Sequence, residues 1–377
     1  MQVMRMKAPK ATFVVLISTA LPLIFFLIVD YSIGQDIVSK KKLGLPLNQR
    51  PEISLDNKWY ELKKSFDGKD QSGPFVFPVT TDKWGFRKNP LNDDSIESDI
   101  IFLGDSFTYG VALDWGDTFV GIFEKNYNKR ITNAGVSSYS PTPYLHQYKK
   151  FLSSRKERKK HIVIIGLDIS DVQDEATRWD AGDLHPKMLS FAPSKSNKSK
   201  VTTTNRGLFN QLPLMFPLTT QTYNALFDEK PSEDMVKFYA GSYKRSAFTW
   251  EDWGALNEKN YPDGYAPLGV SGGLNKVESN LREISELAKN NSGSIYILIY
   301  PWPAQVMYSD KFSWSKFAEQ LCNKNNCSGV IDLIPEFRQL SRADRDWYTK
   351  YYIYNDIHFN KNGNKVVAEA IQRSIRN

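Results

Sequence analysis

Five short apolar runs alternate with helix-spaced segments, and this alternation restricts the possible folds more than any other feature of the chain. Residues 99–103 form an apolar run stopped by Gly104. Residues 131–135 form a second, 161–167 a third that is rich in β-branched residues, 294–300 a fourth and 329–334 a fifth. Each has the length of a buried strand and is short for a helix. Between the runs, apolar residues recur at helical spacing. The sets are Phe119, Ile122, Phe123 and Tyr127; Leu145, Tyr148 and Leu152; Val277, Leu281, Ile284 and Ala288; and Val366, Val367, Ala370, Ile371 and Ile375. Strands alternating with helices build parallel β-α units. The expected class is therefore α/β: a three-layer α/β/α domain over residues 81–377 with a central five-stranded parallel sheet. No repeat period is present, which argues against solenoids and propellers.

Two stretches depart from this rhythm. Residues 31–80 are polar and carry Pro46, Pro51, Pro74 and Pro78, so they read as a stalk and lead-in. Residues 171–270 are rich in Pro, Ser, Thr and aromatics, including Trp179, Trp250 and Trp253. They read as an insertion: either a cap over the site or an elaboration with its own small core.

The amino terminus points to a membrane. Arg5, Lys7 and Lys10 precede an uncharged apolar stretch at 11–29, closed by Asp30. About 20 apolar residues cross a bilayer core as a helix. The basic flank, residues 1–10, would stay in the cytoplasm, leaving the rest outside. The stretch exceeds the apolar core of a cleaved signal peptide, and no small-residue cleavage pattern follows Val29. The expected protein is thus single-pass, with its domain outside the cytoplasm. There the two cysteines, Cys322 and Cys327, would close a small disulfide loop, the alternative being a buried free pair. Two thiols do not make a zinc site.

The net charge is +7, with basic runs at 40–42 and 155–160. Such runs are either solvated surface or attractors of an anionic partner, phospholipid or acidic polysaccharide. No zinc-finger, RNP or basic-helix pattern is present, so nucleic acid is not an expected partner.

Functional groups in a parallel sheet gather at the carboxyl ends of its strands. The first strand runs into Gly104-Asp105-Ser106-Phe107-Thr108-Tyr109-Gly110, which presents a serine on a tight turn. A serine hydroxyl needs a base within hydrogen-bond reach to become a nucleophile. Near the carboxyl terminus stand Asp356 and His358, two residues apart, so in an extended loop their side chains point the same way. The aspartate would fix the imidazole tautomer while the other ring nitrogen faces Ser106. Of the other histidines, His146 sits in an expected helix and His161 opens a strand. His185, in the insertion, is the competing base.

The Gly104-Asp105-Ser106-Phe107 segment resembles the first sequence block of the SGNH (GDSL-type) hydrolases. Asn133-Ala134-Gly135 is similar to the second block, Gly166-Leu167-Asp168 falls where the third is expected, and Asp356 with His358, Asn360 and Gly363 resembles the last. Asp82-Lys83-Trp84-Gly85-Phe86-Arg87 looks like a lead-in of anchored bacterial members. The resemblance covers about 80–170 and 290–377. It implies Ser106 as nucleophile, His358 as base, Asp356 as acid partner, and an oxyanion hole from the N–H groups of Ser106 and Gly135. The third block normally supplies an asparagine amide, and here the position is Asp168. A carboxylate only accepts, so three arrangements stay open. Asp168 is protonated, or it turns away to serve structure, or the hole relies on backbone N–H groups alone. No cofactor or metal is implied.

The resemblance implies acyl-ester chemistry through an acyl-Ser106 intermediate. Water as acceptor makes an esterase, acting on acetyl or other acyl esters of envelope or exported glycans. A sugar hydroxyl as acceptor makes an O-acyltransferase, which would call for a membrane acyl-donor partner. The third reading is a non-catalytic glycan-binding or scaffold protein on the same frame, which Asp168 favours and the retained Ser106, Asp356 and His358 oppose.

Overall fold

The computed structural model describes residues 49–55, 59–72, 75–93, 98–127, 130–180, 187–188, 265, 267–307, 312–354 and 356–376. They belong to one unit made of 47–191 and 231–377. The expected basic tail and membrane segment at 1–29, the Lys40 to Lys42 run, His185, Trp250, Trp253 and most of the 171–270 insertion lie outside the described residues. Among the described residues no helix is long and apolar enough to cross a membrane.

Two antiparallel hairpins come first, β1 (Glu52–Leu55) with β2 (Trp59–Leu62) and β3 (Asp67–Ser72) with β4 (Phe75–Thr80). They are followed by β5 (Ile100–Leu103), β6 (Ile131–Asn133), β7 (His161–Leu167), a minimal pair β8 (Trp179–Asp180) and β9 (Lys187–Met188), β10 (Gly293–Ile299) and β11 (Gly329–Asp332). The helices are α1 (Ser106–Tyr109), α2 (Phe119–Tyr127), α3 (Pro141–Ser154), α4 (Ser170–Thr177), α5 (Gly269–Asn290), α6 (Pro303–Met307), α7 (Trp314–Asn325), α8 (Ile334–Ala343), α9 (Trp347–Tyr351) and α10 (Lys361–Arg376).

The five expected strands form one sheet in the order β11-β10-β7-β5-β6, and every pairing is parallel. All four residues of β5 are buried, as both faces of a parallel sheet must be when helices cover them. Right-handed crossovers assign the covering layers. Helix α2 packs with α10, while α5 packs with α3, α4 and α7. The strand order reverses between β5 and β7, the topological switch point at which open α/β sheets bind ligands.

Residues 52–80 correct the stalk reading. Leu62, Phe77 and Val79 are buried in the main core. The hairpin β3–β4 is further tied to the domain by Tyr109, whose hydroxyl donates to Asp70 Oδ2 at 2.9 Å. Pro78 sits inside β4 because each strand of a two-stranded hairpin is an edge, where a missing N–H is tolerated. The start of the insertion is corrected too. Residues 170–177 form α4, packed under α5, and Trp179 is buried in the domain core.

Candidate active site

The turn that carries Ser106 is built by close packing. Ser106 opens α1, a single helical turn that ends at Gly110 in the left-handed region, φ +83°. Thr108 on this turn lies over two strand ends: a Cβ at Gly104 would meet Thr108 Oγ1 at 2.0 Å, and one at Gly166 would meet it at 2.9 Å. A Cβ at Gly135 would meet Tyr109 N at 2.5 Å. Three glycines, from the ends of β5, β6 and β7, thus make the space that α1 fills.

The expected base, His358, arrives from the other end of the chain. His358 Nε2 lies 2.7 Å from Ser106 Oγ, and its Nδ1 lies 2.6 Å from Asp356 Oδ1. The same carboxylate oxygen also accepts from the His358 backbone N–H at 3.1 Å. Burial opposes ionisation of Asp356, but the His358 ring and the backbone N–H groups of His358 and Ile357 outweigh it. They hold the carboxyl below its ordinary range. The imidazole is pinned against Phe107, with ring centroids 4.7 Å apart, and Phe107 leans on Tyr300 and Phe359. The loop before it is fixed by Tyr348, whose hydroxyl donates to Asp356 O at 2.9 Å and accepts from Asp356 N at 3.1 Å. Asn360 Oδ1 caps α10 through the N–H groups of Asn362 and Gly363. Asn364 joins α10 to α2 by accepting from Phe119 N at 2.8 Å.

The expected oxyanion hole needs correction at two positions. The Gly135 N–H is taken by Asn133 Oδ1 at 2.9 Å, while Asn133 Nδ2 donates to Thr108 O at 2.8 Å. Gly135 therefore supplies space, and its N–H braces the turn. Asp168 is buried, 1% exposed, and acts as an acceptor. Its Oδ1 takes the Ser170 N–H at 2.7 Å and the Ser170 hydroxyl at 2.6 Å, and its Oδ2 takes Trp302 Nε1–H at 2.7 Å. Of the three arrangements open in the sequence, the structural one is observed. The Ser106 N–H meets no acceptor among the described residues, which leaves it for a developing oxyanion.

Behind Ser106 lies a second layer that sequence reasoning missed. Asp105 caps α1 by accepting from Phe107 N at 3.0 Å, and its Oδ1 also accepts from Tyr300 at 2.8 Å. Burial, then the neighbouring Asp168 charge, push the Asp105 carboxyl well above the usual range. Burial and the charges of Asp168 and Asp105 raise Asp171 likewise. On the other side, the buried Arg87 guanidinium donates to four carbonyls, those of Pro78, Tyr109, Gly110 and Leu113, and so clamps the exit of α1. The lead-in motif was visible in the sequence, but its partners, being main-chain carbonyls, were not.

Of the other histidines, His185 lies outside the described residues, and the two described ones serve structure. His146 pairs with Glu61 at 3.0 Å, and His161 bonds Tyr148 at 2.8 Å. Cys322 and Cys327 are joined as a disulfide, with Cα atoms 4.9 Å apart. Among the described residues no cluster of metal-ligating side chains occurs.

No family model matches the chain, and no curated protein matches it. Solved structures with similarity include a member of the lipolytic protein G-D-S-L family from Veillonella parvula DSM 2008, with 14% identity and a TM-score of 0.38, covering 73% of this chain and 96% of that one. Axe2, an acetylxylan esterase from Geobacillus stearothermophilus, is similar at 11% identity and a TM-score of 0.38, covering 74% of this chain and 94% of its own. At this identity and overlap the likeness carries no argument about activity.

Proposed function

We propose that the chain is a serine-dependent acyl-ester hydrolase of the SGNH kind, acting outside the cytoplasm on acyl esters, acetyl above all, of envelope or exported glycans. One observation carries the reading: the unbroken chain from Ser106 Oγ through His358 to Asp356, at 2.7 and 2.6 Å. It matches the roles of a nucleophile, a base and a base-orienting acid.

In the first half-reaction Ser106 Oγ bonds to the ester carbonyl carbon and its proton passes to His358 Nε2. The carbonyl oxygen becomes an oxyanion beside the Ser106 N–H. Collapse expels the alkoxide, which takes the proton from His358 and leaves as an alcohol. Water then gives a proton to His358 and attacks acyl-Ser106, and the acid departs as Ser106 regains its proton. Asp356, held ionised, keeps Nδ1 protonated throughout and stabilises the imidazolium.

The finer parts rest on other features. The apolar stretch at 11–29 behind basic residues, together with the Cys322–Cys327 disulfide, supports an anchored domain in an oxidising compartment.

The test is release of p-nitrophenol from p-nitrophenyl acetate by the full chain with no glycan acceptor. Ser106→Ala and His358→Ala are each expected to lower kcat by at least about a thousandfold. Full activity in Ser106→Ala, or none in the unaltered chain, would overturn the reading.

A further inference from the structure

Two sequence features take no part in the triad, the basic run at 155–160 and the exposed part of the Asp82 to Arg87 segment. They meet across a single groove of about 690 Å³. Its lining includes Asp99, just before β5, Arg130, just before β6, and Lys159, just before β7. The groove therefore lies at the amino ends of the parallel strands, and the triad at their carboxyl ends. At ~3.3 Å per residue, the four residues of β5 alone separate the two by about 13 Å.

We propose that this groove holds a stretch of acidic carbohydrate, a polyuronate by chemical class. The proposal deepens the glycan part of the proposed function, but it rests on the groove and needs no turnover at Ser106.

One wall is a preformed aromatic platform. Asp82 Oδ1 accepts from Trp84 N at 2.8 Å and from Phe86 N at 2.9 Å, which fixes the turn that displays Trp84. Gly85 in this turn has φ +88°, and a Cβ there would meet Leu62 O at 2.5 Å. The backbone that carries the ring is thus fixed before any ligand arrives, which lowers the ordering cost of binding. Exposed Lys83 has its Nζ 4.3 Å from the Trp84 ring centroid, so this wall offers both an aromatic surface and a cation. The opposite wall is the 155–159 turn. Arg155 leans on Phe151 at 5.2 Å and donates from Nη2 to Lys159 O at 3.2 Å, with Lys156 exposed beside it.

The mixture of charges selects the ligand. Six basic side chains line the groove, but so do four carboxylates, Asp93 and Asp99 among them. A membrane of anionic headgroups would meet those carboxylates unfavourably and would need a convex face. A polyuronate suits the groove better: its carboxylates meet the cations, its hydroxyls meet the acidic acceptors, and its ring faces meet Trp84. The volume lies within the ~300–1,000 Å³ usual for ligand clefts.

The test uses the full chain carrying Ser106→Ala, titrated calorimetrically with oligogalacturonate, with neutral dextran, and with phosphatidylglycerol vesicles. Oligogalacturonate is expected to bind, more weakly as salt rises, and dextran is not. The pair Lys83→Glu with Lys156→Glu, both exposed positions, should weaken binding at least about tenfold. The same pair in the unaltered-serine background should leave p-nitrophenyl acetate turnover unchanged. Trp84→Ala should also weaken binding, and the charge reversals decide the matter if that variant folds poorly. Absent oligogalacturonate binding, equal binding by the charge-reversed pair, or binding to vesicles alone would overturn the proposal. None of these outcomes depends on whether Ser106 is a nucleophile.

Discussion

Asp168 receives three hydrogen bonds, two from Ser170 and one from Trp302, and that pattern decides what a substitution there does. In Asp168→Asn one acceptor oxygen becomes an NH₂ group facing an N–H or O–H donor. The expected outcome is a loss of about 1–3 kcal/mol in stability with no gain in esterase turnover, read by denaturant melts and p-nitrophenyl acetate kinetics. A restored oxyanion donor would instead raise turnover. Asp105 behaves in the opposite sense. Its folded-state carboxyl is raised by burial and by Asp168, so between the ordinary range, near ~3.9, and its folded value the native state binds more protons than the unfolded chain. Stability therefore falls as pH rises through that window. Asn at 105 keeps the cap on Phe107 N and the acceptor for Tyr300, but has no proton to lose. Asp105→Asn should melt higher than the unaltered chain, by a margin that widens as pH rises above about 4. A margin that shrinks with pH would contradict this.

Hairpin β1–β2 joins the domain through Leu62 in the core, through Tyr60, bonded to Ser137 and Tyr139, and through one carboxylate. Glu61 on β2 meets His146 and Lys150, one turn apart on α3, each at 3.0 Å. Burial works against its ionisation, but the hydrogen bonds and charges of His146 and Lys150 win and take the carboxyl down to about 2. The stabilisation is thus fully present above the ordinary value of 4.5 and is lost as pH falls toward about 2. Glu61→Gln should lower Tm by a few degrees at neutral pH, and the gap should close as the solution is acidified below about pH 3; a constant gap would point to lost packing alone. The elements also show what the sequence made legible. The five core strands were readable because burial on both faces leaves continuous apolar runs, as in Ile100 to Leu103. Helix α4 was not, since its buried face carries Asp171, Asp174 and Glu175. Asp171 and Glu175 accept hydrogen bonds from Tyr144, Ser140 and Thr142, Glu175 also pairs with Lys276, and Asp174 lies in an ion pair with Arg178, partners mostly on other elements. No hydrophobic period records such a face. The hairpins at 52–80 were hidden by their prolines and by a core contribution of only a few side chains.

Across the whole molecule, the site exists because the sheet reverses its winding between β5 and β7. That reversal opens the carboxyl ends where Ser106 and Asp168 emerge, and α10, pinned to α2 through Asn364, brings His358 to Ser106 across 252 residues of sequence. The meeting of Ser106, His358 and Asp356 was legible because each sits in a short local motif. The oxyanion arrangement was not: whether the Gly135 N–H is open depends on the Asn133 rotamer, and the role of Asp168 depends on Trp302, 134 residues away. The central claim is that this assembly makes Ser106, and no other serine, an activated nucleophile. The most direct measurement is treatment of the full chain with a fluorophosphonate, followed by peptide mapping by mass spectrometry. A single phosphonyl adduct on Ser106, lost in His358→Ala, is the expected result. An unlabelled chain, an adduct on a different serine, or labelling that survives His358→Ala would contradict it.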